Sequence, residues 1–153
     1  MSADAKIAEL KLELPAAPPP AGVYSPLVQV DRVAYVSGHG PLLPDGSMIV
    51  GKIGADLSEE QGQQAARQVG LTMLATLKDQ LGSLDKIERV VKVLGMVNAA
   101  PDFKSHPQVI NGFSNLMVEV FGEAGRAARS AVGMGSLPGN IAVEIEAILL
   151  LKG

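Results

Sequence analysis

The 153 residues contain no cysteine and no tryptophan. Without cysteine there are no disulfides, thiolate metal sites or cysteine nucleophiles. Aromatic residues amount to only 3%, which leaves little for nucleic-acid bases to stack on. Charged residues are 19% and the formal net charge is −3, so the chain has no basic footprint for a polyanion. The two histidines, His39 and His106, are far apart in sequence, which argues against a histidine-based metal site. No metal and no other cofactor is expected. No apolar run reaches bilayer-spanning length, and the N-terminus lacks the apolar segment of a signal peptide. The expectation is a soluble cytoplasmic protein with no membrane partner.

Apolar residues, by contrast, make up 47% of the chain. That supports one domain with a sizeable core. It is rich for so short a chain, and predicts that other subunits cover part of the apolar surface.

The stretch Ala128–Leu150 organises the rest. It reads as two strands joined at Leu137-Pro138-Gly139-Asn140, since proline presets φ and Gly or Asn accepts a left-handed conformation. Val143, Ile145, Ala147 and Leu149 share one face of the second strand; Glu144, Glu146, Ile148 and Leu150 share the other. Arg129 opens the first strand. A hairpin can bring a residue early in one strand beside one late in its partner. One reading is therefore a pair between Arg129 and one of these two acids, Glu144 or Glu146, at the mouth of a pocket. The plain alternative is a surface ion pair worth about 0–1 kcal/mol.

Ser2 begins a short helix over about Ala3 to Leu12, and the run Pro15–Pro20 ends it in an extended connector. Residues 1–20 therefore form an appendage on a main domain covering 21–153. Strands follow at Leu27–Val30 and Val33–Ser37, with Asp31-Arg32 as a two-residue loop. In Ser37-Gly38-His39-Gly40 the two glycines imply a sharp backbone turn. It either offers bare amides and a hydroxyl to a ligand or marks a strand end or bulge. Ser58-Glu59-Glu60-Gln61 is a capping box opening a helix that stops at Gly82, with Ala66, Val69, Met73, Leu77 and Leu81 as its buried stripe. Ile87–Val97 is a long central strand. Ser105 caps a second helix with Pro107 in its first turn and Gly122 at its end. His106 lies in that first turn, exposed, and Asn111 one turn in either meets a ligand or caps a loop. Two helices on one face of a mixed sheet make an α+β sandwich. The bare sheet face predicts a homo-oligomer with sheets facing inward.

Pro20-x-Gly22-x-Tyr24, Ser37-Gly38, Asn111 and Ala128-Arg129-Ser130…Leu137-Pro138…Val143-Glu144-Ile145-Glu146-Ala147 together resemble the YjgF/Rid family of reactive intermediate deaminases, formerly called translation initiation inhibitors or L-PSP endoribonucleases. The resemblance covers about Pro20 to Leu151. It implies a chorismate-mutase-like sandwich and a homotrimer with three ligand clefts between subunits. It also implies hydrolytic deamination of enamine/imine intermediates such as 2-aminoacrylate, to 2-keto acids and ammonia. By that resemblance Arg129 holds the substrate carboxylate and Glu144 activates water. Tyr24, Ser37, Gly38, His39, Asn111 and Ala131 line the site. Two positions depart from the family pattern. Ala131 stands where many members have cysteine, and His39 where glutamine is frequent. The N-terminal helix, the Pro15–Pro20 run and added length between Gly51 and Ser58 suggest a longer subgroup. Two other functions stand beside this one: a trimeric binder of small carboxylates without turnover, and an endoribonuclease on single-stranded RNA. The acidic balance and scarce aromatics argue against the last.

Overall fold

A computed structural model describes residues 1–153. The capping box forms: the Gln61 N–H donates to Ser58 Oγ at 3.1 Å and the Ser58 N–H to Gln61 Oε1 at 2.8 Å. It starts α2 (Glu59–Leu81), which Gly82 ends in a left-handed conformation. The stripe Ala66, Val69, Met73, Leu77 and Leu81 is buried. α3 (His106–Phe121) ends at Gly122, but the Ser105 side chain makes no capping bond. Its backbone conformation (φ −100°, ψ 42°) is not the extended one a cap needs.

The remaining elements are α1 (Ala3–Glu9), β1 (Leu27–Val30), β2 (Val33–His39), β3 (Ile87–Asn98), β4 (Ala128–Met134) and β5 (Val143–Leu151). The five strands form one sheet in the order β1-β2-β5-β3-β4. All pairs are antiparallel except β3–β4. α2 and α3 cover one face, giving a mixed α+β sandwich. The core between helices and sheet includes Val69, Leu74, Phe113, Leu116, Ile145 and Leu149. α1 docks at the rim through buried Ile7 and through Asp4, which accepts from Ser83 Oγ and pairs with Lys78.

The C-terminal strands do not form the expected hairpin. β3 lies between β4 and β5. The cause is the connection: β3, α3 and β4 form a crossover unit, and a helical crossover returns the chain parallel to the strand it left. β5 then takes the other edge of β3. The link Gly135–Ala142 therefore passes over the end of β3 instead of turning tightly. Asn98 at that end holds it, with Nδ2 donating to Asn140 Oδ1 at 3.0 Å and to Ile141 O at 3.1 Å.

The helix-free face carries Val28, Val30, Tyr35 and Val132, each 38–55% exposed. β2 continues through Gly38 to His39, so the sharp turn expected there is instead a bulge. Val36 pairs with Ala147 and His39 with Ile145, setting Ser37 and Gly38 together opposite Glu146. His39 lies inside, 6% exposed. Its Nδ1–H donates to Ser37 O at 2.6 Å, so Nε2 accepts from the Thr76 hydroxyl at 2.8 Å. Burial holds its pKa below the ordinary 6.5.

Two predictions follow from this packing. An added Cβ at Gly112 would lie 2.0 Å from Gln63 O on α2, whereas one at Gly135 meets nothing within 4 Å. Gly112→Ala should destabilise the fold by about 1–3 kcal/mol or more, seen as a lower urea midpoint, and Gly135→Ala should not. The unfolded chain binds a proton at His39 near pH 6.5 and the folded chain resists it. Stability should therefore be full above that pH and decline as pH falls through it. His39→Gln should flatten this part of the stability–pH curve.

Candidate functional site

The parallel crossover decides where the site residues go. Arg129 pairs with Val93, whose side chain is buried under the helices, so Arg129 lies on the helix-covered side at the sheet's β4 edge. There its Nη1 donates to Asn111 Oδ1 at 2.8 Å and to Ser114 Oγ at 3.1 Å. These acceptors are three residues apart on α3 and so share one face. Both are neutral, and Arg129 joins none of the protein's ion pairs. The half-buried guanidinium keeps its other nitrogens without a protein partner. It borders a cavity of about 240 Å³ lined by Asn111, Ser114, Val118, Arg126, Ala127 and Arg129. Ala131, two residues on, lies over Gly95 on the same side and packs against the core.

Glu144 is elsewhere. It pairs with Met96 on the helix-free face. Its carboxyl rests on the bare backbone of Gly38, where an added Cβ would lie 2.4 Å from Oε2. Half-buried and without a hydrogen-bond partner in the chain, it is held above the ordinary carboxyl pKa, first by burial and then by the charge of Glu146. Ser37, next to Gly38 in the bulge, donates from Oγ to Ser25 O at 2.6 Å. Tyr24 is half-exposed, and its hydroxyl accepts from the Ala21 N–H at 3.2 Å. A cavity of about 100 Å³ lies between Tyr24, Gly38 and the prolines Pro18–Pro20.

The expected residues thus fall into two groups: Arg129 with Asn111, and Glu144 against Gly38, with Ser37 next to Gly38 in the bulge and Tyr24 across the small cavity from it. Within one chain, the sheet separates the guanidinium from the carboxyl. The expected hairpin contact between them does not occur, because β4 reaches the sheet through α3 and not from β5. His39 spends both ring nitrogens inside the protein. His106, expected to be exposed, is half-buried, packing its ring edge-on to Phe103 with centroids 5.3 Å apart. Sequence reasoning missed Ser114. The signal was present: Ser114 follows Asn111 by one helical turn, which puts a second polar atom on the same face. No group of three His, Asp or Glu side chains is placed to hold a metal ion.

Comparison with known proteins agrees with this architecture. Residues 4–146 match the family described as “YjgF/chorismate_mutase-like, putative endoribonuclease”. The chain is 40% identical to Protein TCP17 of Trypanosoma cruzi over 149 residues, covering 97% of this chain and 93% of that protein. It is 32% identical to the 2-iminobutanoate/2-iminopropanoate deaminase of Dermatophagoides farinae over 142 residues, covering 92% and 95%. The crystal structure of the protein Atu1372 from Agrobacterium tumefaciens, whose function is unknown, is similar with a TM-score of 0.88. It is 40% identical over 98% of this chain and 94% of its own. With most of its length matched, and with α2 and α3 on one face of the mixed five-stranded sheet, this chain belongs to the YjgF/chorismate-mutase-like family.

Proposed function

We propose that the protein hydrolyses small enamine/imine acids of the 2-aminoacrylate type to 2-keto acids and ammonia, in clefts shared by neighbouring copies of a homotrimer. The observation that carries this reading is Arg129, pinned by two neutral acceptors and left without an acid. A guanidinium fixed in this way presents a planar fork to a carboxylate, which a lysine could not match. The relative from Dermatophagoides farinae carries the name of an imine-acid deaminase. The apolar side chains on the helix-free face support an assembly in which those faces are buried against one another.

In this reading one copy supplies Arg129, Asn111 and Ser114, with Ala131 beside them. Its neighbour supplies Glu144, Ser37, Gly38 and Tyr24. His39 acts from inside, bracing the bulge that bares the Gly38 backbone. The Glu144 carboxylate takes a proton from water as the oxygen adds to the imine carbon. With the imine entering protonated on nitrogen, it then returns that proton to nitrogen. It takes up the remaining hydroxyl proton as the carbonyl forms, the C–N bond breaks and ammonia leaves. A carboxyl held above its ordinary pKa is suited to these transfers near neutral pH. No cofactor is needed for these steps. The net charge of −3 gives an RNA substrate no electrostatic support.

Ammonia release from 2-aminoacrylate generated in situ tests the reaction. Arg129→Ala should lower kcat/KM by about 10²-fold or more, and Glu144→Gln should lower kcat by about 10²–10⁴-fold. Wild-type protein that binds 2-oxobutyrate but does not speed ammonia release from 2-aminoacrylate would instead be a carboxylate binder. Glu146→Gln removes the like charge beside Glu144. It should move the acid limb of the kcat profile to lower pH, because Glu144 then ionises more readily. Light scattering at micromolar concentration should give the mass of three chains, and a monomer would contradict the shared cleft.

A further inference from the structure

We propose that the Arg129 cavity selects acids bearing two carboxylates, with Arg126 binding the second. This rests on the reading of Arg129 as a carboxylate anchor and extends it to a substrate class, the 2-imino and 2-keto dicarboxylates.

The lining of the cavity carries the inference. Its six lining residues include two arginines and no acidic residue. The two neutral polar side chains, Asn111 and Ser114, are already occupied by Arg129 Nη1. A monocarboxylate bound to Arg129 would leave the second guanidinium without an anion from the ligand, whereas a dicarboxylate complements both. Val118 and Ala127 add apolar side chains to the lining, of the kind a methylene chain packs against.

Arg126 already shows what its fork accepts. Its Nε and Nη2 donate to the two carboxylate oxygens of Glu123, each at 3.2 Å. Glu123 is three residues back along the chain and is not part of the cavity wall. Its side chain is 82% exposed and that of Arg126 68%. Such an exposed pair is weakly held and open to exchange. In this assignment Glu123 occupies the fork until a ligand carboxylate replaces it.

Calorimetric titration with 2-oxoglutarate and 2-oxopentanoate tests this, because the two share a five-carbon chain and differ in the distal carboxylate. The intact protein should bind 2-oxoglutarate at least about tenfold more tightly. Arg126→Gln should erase that preference and bring the two affinities together. Glu123→Gln should tighten 2-oxoglutarate several-fold. Arg129→Gln should abolish binding of both acids. Equal wild-type affinities, or a preference that survives Arg126→Gln, would overturn the dicarboxylate assignment while leaving Arg129 as an anchor. Failure of both acids to bind, or binding that is indifferent to Arg129→Gln, would overturn the anchor itself and the assignment with it. Unchanged thermal unfolding of Arg126→Gln would confirm that the exposed substitution leaves the fold intact.

Discussion

One hydrogen-bonded contact fixes the chemistry available to this chain: Arg129 Nη1 held at once by Asn111 Oδ1 and Ser114 Oγ. The two acceptors orient the guanidinium plane without neutralising it. A half-buried cation is costly unless an anion meets it, and here the protein provides none within reach. Everything else at that edge follows from the β3–α3–β4 crossover. It sets α3 against the strand that carries the arginine and leaves the β4 edge unpaired on its outer side.

The same crossover separates the arginine from the glutamate. Sheet residues alternate faces, and Glu144 points away from the helices toward a face that no element of this chain covers. Its carboxyl is half-buried even so, because the bulge in β2 turns the bare backbone of Gly38 against it. A side chain at position 38 would occupy the place of the carboxyl. In our proposal the chain carries two half-sites, one for holding an anion and one for moving a proton, and association of several copies is what makes them a single site.

Local features were legible in the sequence because local chemistry determines them. The α2 capping box, the Gly82 stop, the buried stripe of α2 and the face alternation of β5 all rest on contacts within a few residues. The strand order was not legible. Leu137-Pro138-Gly139-Asn140 does bend the chain, with Gly139 and Asn140 both at positive φ. A bend does not say which strand lies beside which, and the crossover through α3 settled that instead. Ser105 failed as a cap for a related reason. Residue type marks the position, but the incoming loop sets the backbone angles. The buried state of His39 depended on Thr76, 37 residues away, and no spacing rule reaches that far. The strand pattern pointed to Arg129, and the resemblance supplied the family, the choice of Glu144 over Glu146 and the roles expected of both. It was the helix geometry that added Ser114.

The central claim is that the arginine of one copy works with the glutamate of another. Its most direct measurement is activity after co-refolding equal amounts of Arg129→Ala and Glu144→Gln chains. Each variant alone lacks one half of every cleft. In a cyclic trimer assembled at random, mixed assemblies regain one complete cleft each, so the mixture should recover roughly a quarter of wild-type activity. A mixture no more active than either variant alone would contradict the shared site.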